Sequence, residues 1–160
     1  MTIAIRPFKQ QDIEQLIVIE NSIWNHRNTP IPIHFNNKEE FLSSRTGRIL
    51  IAEEQPEANI CGYVEMQYGD IASRAHIAEL AIGIHSDFRG SGLGASLLSY
   101  AEKRLTADHI KKISLRVMAS NPRALRFYEK YGYQQEGCLK NEFYINDQYI
   151  DDVLLYKWLS

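Results

Sequence analysis

Between Glu79 and Leu105 an apolar strand pattern runs into one arginine and three glycines, then opens an amphipathic helix. Glycine lacks a Cβ, so Gly90, Gly92 and Gly94 can take positive φ and turn successive backbone N–H groups toward one point. The residues that follow place Leu97, Leu98, Ala101 and Leu105 on one helical face. The loop therefore stands at a helix N-terminus, where unpaired N–H groups and the helix dipole favour a phosphate. Arg89 adds a cation beside it. The pattern predicts an anion cradle made of Arg89, Gly90, Ser91, Gly92, Leu93 and Gly94.

Two other phosphate loops conflict with the residues present. A Walker loop closes on Gly-Lys-Ser/Thr, whereas Gly94 is followed by Ala95 and Ser96. A dinucleotide fingerprint fits Gly90 to Ala95 formally, but it needs an acidic residue about 20 positions on, at the end of the next strand. That strand, Lys112 to Val117, exits through Met118, Ala119, Ser120 and Asn121 without a carboxylate.

The chain has 160 residues, 44% of them hydrophobic, which suits a single domain over 1–160 with a full core. A formal net charge of -2 offers no global attraction to nucleic acid or to an anionic membrane. No run of about 18 apolar residues occurs, and the first residues lack a basic segment followed by an apolar one. Cys61 and Cys138 form no disulfide framework. A cytoplasmic chain is expected, with no metal site, since His26, His34 and His109 lack ligand spacing.

Periodicity and turn residues predict strands at Thr2 to Phe8, Arg48 to Glu53, Ile60 to Tyr68, Arg74 to Ile84, Lys112 to Val117, Tyr133 to Leu139 and Asp147 to Trp158. Helices are predicted at Asp12 to Ile23, Lys38 to Arg45, Gly92 to Ala107 and Pro122 to Tyr131, the last stopped by Gly132. Trp24 to Phe35 contains Pro30 and Pro32 and reads as an aromatic loop. The strands before and after the glycine-loop helix should lie parallel.

Arg89, Gly92 and Gly94 fit the pattern Arg/Gln-x-x-Gly-x-Gly/Ala, and Asn121 to Tyr133 fits Asn-x-x-Ala-x-x-Phe-Tyr-x-x-x-Gly-Phe with tyrosine in the last place. Both blocks, in this order, resemble the GNAT superfamily of N-acetyltransferases. The resemblance implies an α/β (α+β) fold, with a mixed, mostly antiparallel sheet of about seven strands flanked by about four helices. It also implies acetyl-CoA as acyl donor and a primary amine as acceptor: a small amine, polyamine, antibiotic, amino acid or protein N-terminus. Transfer would be direct, within a ternary complex. A binding module that holds acyl-CoA without efficient turnover is the alternative.

The same resemblance carries roles to particular positions. Backbone groups of Ile82 and Ile84 would bind the pantetheine arm, with Asn121 adding an amide from the neighbouring strand. Tyr128 matches the tyrosine that protonates the departing thiolate, although it could instead be one more ring in a core cluster with Phe127, Tyr131 and Tyr133. Glu79 is the candidate base, or else a solvated strand carboxylate. Arg126 is assigned to the cofactor from a modest cluster with Arg116, Arg123 and Lys130. The acceptor site is expected between Trp24 to Phe35 and Asn141 to Tyr149, with Trp24, Phe35 and Tyr144 as substrate contacts suited to a cation. The final strands could pair in a homodimer.

Overall fold

The computed structural model describes residues 2–31 and 33–160. Pro32, one of the two prolines that argued against helix between Trp24 and Phe35, lies outside the described residues. The strands are β1 (Thr2–Pro7), β2 (Arg48–Gln55), β3 (Asn59–Tyr68), β4 (Ile77–Ile84), β5 (Lys112–Met118), β6 (Gln134–Ile145) and β7 (Gln148–Trp158). The helices are α1 (Ile13–Ile23), α2 (Lys38–Ser43), α3 (Leu93–Ala107) and α4 (Pro122–Lys130), joined by three single 3-10 turns. All seven strands form one sheet in the order β1-β2-β3-β4-β5-β7-β6. Among the described residues no helix is long and apolar enough to cross a membrane.

Strand alternation puts helices on both faces. In β2, Leu50 and Ala52 face a core shared with Leu97, Leu98, Ala101 and Leu105 of α3, while Ile49 and Ile51 face Leu16, Ile19 and Ile23 of α1 and Phe41 of α2. Burying each such aliphatic side chain stabilises the fold by about 1.5–3 kcal/mol. On the α3 side, Glu102 accepts hydrogen bonds from the Tyr133 hydroxyl at 3.0 Å and from Lys157 Nζ at 3.1 Å. Lys157 Nζ also donates to the Tyr131 carbonyl at 2.9 Å, so the end of α4 is tied to β7 and α3.

The sheet forks at its centre. β4 and β5 are its parallel pair, and they share only the register Ile77↔Lys112, Ala78↔Ile113 and Glu79↔Ser114. Beyond Glu79, β4 stays with β3 as far as Ile84, while β5 stays with β7 as far as Met118. The facing backbone edges of the two strands therefore diverge with their polar groups unpaired by the sheet.

Two boundaries differ from expectation by three residues or more. β4 begins at Ile77 rather than Arg74, because its partner β3 ends at Tyr68 opposite Ala78, and Ala72–Arg74 coils into a 3-10 turn instead. β6 runs to Ile145 rather than Leu139. Its register shifts between Leu139 and Phe143, around Asn141 at φ 53°, and pairing with β7 then resumes. The polar run Lys140, Asn141 and Glu142 hides this continuation from a period-2 reading.

Candidate active site

The open fork, the glycine loop and the first turn of α4 enclose one cavity of about 510 Å³. β4 leads out through His85, whose Nδ1 accepts from the Asp87 N–H at 3.1 Å and starts the 3-10 turn Ser86–Phe88. Gly90 and Gly92 follow at φ 77° and 84°, the left-handed region that other residues enter only at a cost. Gly92 caps α3. A Cβ at either glycine would meet no protein atom within 4 Å, so the space above the loop is open for a ligand. Gly94 serves a different end: a Cβ there would come within 3.3 Å of the Phe127 ring, so its absence lets α4 close on α3.

From the fork the cavity takes Ile82, Gly83 and Ile84 of β4. Across from them, Asn121 caps α4, accepting from the Ala124 N–H at 3.3 Å, and Pro122 occupies the first turn. Arg123, Phe127 and Lys130 stand at i, i+4 and i+7, so one face of α4 turns two cations and a ring toward the cavity. Together with Arg89 they give the cavity three basic side chains beside an apolar channel.

Tyr128 sits at the inner wall, 8% exposed, with its ring edge-on to Phe127 at 5.1 Å and Tyr133 at 5.4 Å between centroids. Its hydroxyl makes no hydrogen bond to a described residue, and burial raises its pKa above the ordinary phenol value. The side chain is thus both a core ring and a free, fully protonated donor facing a cavity.

The structure gathers Trp24, Ile82, Ile84, Arg89, Gly90, Gly92, Leu93, Gly94, Asn121 and Tyr128 around this cavity. It leaves five expected residues outside the lining. Ser91 turns back, its hydroxyl donating to the Phe88 carbonyl at 2.5 Å. Arg126, one turn from Arg123, is exposed and does not reach the lining. Phe35 packs against Phe41 in the α1–α2 core, its centroid 5.4 Å away, because Asn21 bonds both its N–H and its carbonyl. Tyr144 is 61% exposed on the β6–β7 hairpin and packs on Tyr149 at 4.9 Å. Glu79 is exposed at the closed end of the fork, the last β4 residue paired to β5. Arg123 and Lys130 went unassigned by motif matching, yet their helical spacing with Phe127 carried the signal.

An anion loop opening on a forked parallel pair, with a buried phenol at the junction, defines a cleft of the acyl-CoA-dependent acetyltransferase type. The chain belongs to the acetyltransferase (GNAT) family, whose model matches residues 11–133. It is 31% identical over 140 residues to acetyltransferase ECA0875 of Pectobacterium atrosepticum, covering 84% of this chain and 90% of the relative. It is 34% identical over 104 residues to the spermidine N(1)-acetyltransferase of Vibrio cholerae, covering 64% of this chain. That match spans only 59% of the Vibrio protein's length. The crystal structure of smu.2055 from Streptococcus mutans superposes with a TM-score of 0.88 at 27% identity, covering both chains fully. Structures of the same fold at lower identity contain acetyl-CoA, the family's cosubstrate.

Proposed function

We propose that the protein moves the acetyl group of acetyl-CoA onto a primary amine by direct attack within a ternary complex. The observation that carries this reading is the single cavity joining the glycine loop, the open edge of β4 and the Tyr128 phenol. The residues suit the cosubstrate. Backbone N–H groups from Arg89 to Gly94 would receive the diphosphate, with Arg89, Arg123 and Lys130 balancing its charge. The unpaired backbone of Ile82 and Ile84 would hold the pantetheine amides, as a strand receives another strand.

Acetyl-CoA supplies an activated thioester carbonyl; the rest of the chemistry falls to the chain. Aminolysis needs a neutral nitrogen, a polarised carbonyl and a proton for the departing thiolate. The C–N bond forms as the C–S bond breaks. One proton leaves the nitrogen and would reach Glu79 through water, since that carboxylate stands outside the cavity lining, and one passes from Tyr128 to sulfur; Glu79 then releases its proton to solvent and the phenol regains one. Buried and un-ionised, Tyr128 is in the donor form throughout the working pH range.

The acceptor would enter beside Trp24, at the end of the cavity away from the glycine loop. The test is release of free thiol from acetyl-CoA across polyamines, aminoglycosides, amino acids and N-terminal peptides. Turnover with at least one amine supports transfer. Tight acetyl-CoA binding with no thiol released by any of them would leave a binding module instead.

A further inference from the structure

The two arms of the fork are bridged at their open end by a turn that the transfer chemistry leaves unused. The turn is seated on the β4 arm through α1. Glu20 of α1, 2% exposed, has Oε2 2.7 Å from Nη2 of Arg45, and Arg45 also pairs with Glu65 of β3. At the end of α1 a Cβ on Gly83 would lie 2.8 Å from Ile23 Cδ1, so a glycine in β4 lets the helix end sit against the strand. Trp24 then leaves α1 at extended backbone angles.

The residues that follow bind to one another. Asn28 Oδ1 accepts from the Asn25 N–H at 2.7 Å, and its Nδ2 donates to the Ile23 carbonyl at 2.9 Å. Asn25 Oδ1 accepts from the Arg27 N–H at 2.9 Å, and the Asn25 carbonyl accepts from the N–H groups of Asn28 and Thr29. Two asparagines thus close residues 23–29 into a compact unit, the use of short amide side chains that turns favour.

A single hydrogen bond carries this unit across to the other arm. The Ser120 hydroxyl donates to the Arg27 carbonyl at 2.8 Å, linking positions 93 residues apart. Among the described residues no other hydrogen bond or ion pair joins residues 24–35 to the chain beyond β4. Ser120 follows the end of β5 at Met118 and precedes Asn121, which caps α4 and lines the cavity. The arms are therefore joined at the closed end by the Ile77 to Glu79 pairing and at the open end by Ser120. Trp24 and Asn28 of the bridged turn line the cavity with Ile82 and Ile84.

We propose that Ser120 is a positioning residue: it latches the turn over the open end of the fork, fixes Trp24 and Asn28 as the acceptor-end wall, and thereby sets acceptor affinity without touching the acetyl-CoA contacts. This rests on the acyl-transfer reading of the same cleft. The groups suited to the cosubstrate belong to β4, the glycine loop and α4, and none of them is tied to the turn by a hydrogen bond among the described residues. An unlatched turn would have to be ordered by the acceptor itself, which weakens binding, whereas a latched one is ordered beforehand.

The chain has two tryptophans, and Trp158, 59% exposed on β7, takes no part in the site, so Trp158→Phe leaves Trp24 as the reporter. In that background acrylamide quenching of Trp24 is measured, and 1,4-diaminobutane, kanamycin, glycine and the peptide Ala-Ala-Ala are titrated against its emission with no acetyl-CoA present. KM and kcat follow for each amine that releases thiol. Ser120→Ala is expected to raise Trp24 quenching about twofold and to raise the Kd and KM of the amine about three- to tenfold, the range that one hydrogen bond supplies. The kcat and the acetyl-CoA Kd should change less than about twofold. Ser120→Thr, which keeps the hydroxyl, should restore wild-type values.

Unchanged quenching and amine affinity in Ser120→Ala would overturn the proposal, as would an equal loss of acetyl-CoA affinity or a Ser120→Thr variant that behaves like Ser120→Ala. Those results can coexist with normal thiol release, which would leave the transfer reading intact. Thiol release by none of the four amines, with an emission response that Ser120→Ala weakens, would count against transfer and leave the latch standing. Neither thiol release nor an emission response would overturn both.

Discussion

Replacing Tyr128 by Phe isolates the proton proposed to reach the leaving thiolate. The hydroxyl has no hydrogen-bond partner among the described residues, and the ring contacts to Phe127 and Tyr133 survive the substitution. Folding stability should change by less than about 0.5 kcal/mol. General acid catalysis contributes about 10²–10⁴ in rate, so kcat should fall by at least about a hundredfold, or about 2.7 kcal/mol of barrier. The acetyl-CoA Kd should stay within about twofold, because the proposed diphosphate contacts lie on the glycine loop. Chromogenic detection of free thiol, paired with calorimetry for the cofactor, reads both quantities. A kcat within about twofold of wild type, with cofactor affinity intact, would refute the proton-donor role and return Tyr128 to a packing role alone.

Gly83→Ala forces a Cβ to within 2.4 Å of Tyr63 Cε1 and 2.8 Å of Ile23 Cδ1, so denaturant unfolding should show a loss of about 1–3 kcal/mol. Arg45→Met leaves Glu20 and Glu65 without their shared cation, and the same assay should show a loss of about 3–5 kcal/mol; a neutral result would mean that the pair is not buried as described. Arg123→Ala should weaken acetyl-CoA by about 1 kcal/mol, an effect that salt diminishes, whereas Arg126→Ala should leave affinity unchanged. Burial raises the pKa of Tyr63, Tyr128 and Tyr133 above their unfolded value. Their contribution to stability is therefore complete below about pH 10 and is lost as pH climbs beyond it, because the unfolded chain then releases protons that the folded chain retains. A melting temperature flat through that range would contradict the burial of these phenols.

What could be foreseen from the sequence divides along physical lines. Local chemistry announced itself. Gly90 and Gly92, the flanking apolar strand and the Leu97, Leu98 and Leu105 stripe each obey short-range rules, and the loop and α3 follow them, whereas Gly94 lies inside α3 without positive φ. The same holds for Asn121 and Pro122 at the start of α4 and for Gly132 at φ 91° just past its end. Long-range geometry stayed hidden. Nothing local says that Phe35 turns into the α1–α2 core, since that outcome depends on Asn21 gripping its backbone across 14 residues. Nor does a strand pattern tell that β6 survives a register shift near Asn141 and carries Tyr144 out into solvent. The buried Glu20, Arg45 and Glu65 assembly is invisible for the same reason, because its members come from α1, the α2–β2 connection and β3. Arg123 and Lys130 stood in the same basic cluster as Arg126, and their helical spacing with Phe127 is what separates them from it.

The central claim is that main-chain amides from Arg89 to Gly94 hold the diphosphate of the acyl donor. Titrating ¹⁵N-labelled protein with acetyl-CoA and, separately, with acetyl-pantetheine, which lacks the diphosphate and nucleotide, tests it directly. With acetyl-CoA the Gly90, Gly92 and Gly94 amide resonances should show the largest shifts. With acetyl-pantetheine they should stay nearly still while those of Ile82 and Ile84 move. If acetyl-CoA bound without moving the three glycine amides, the diphosphate would lie elsewhere and the cleft described here would not be the site of transfer.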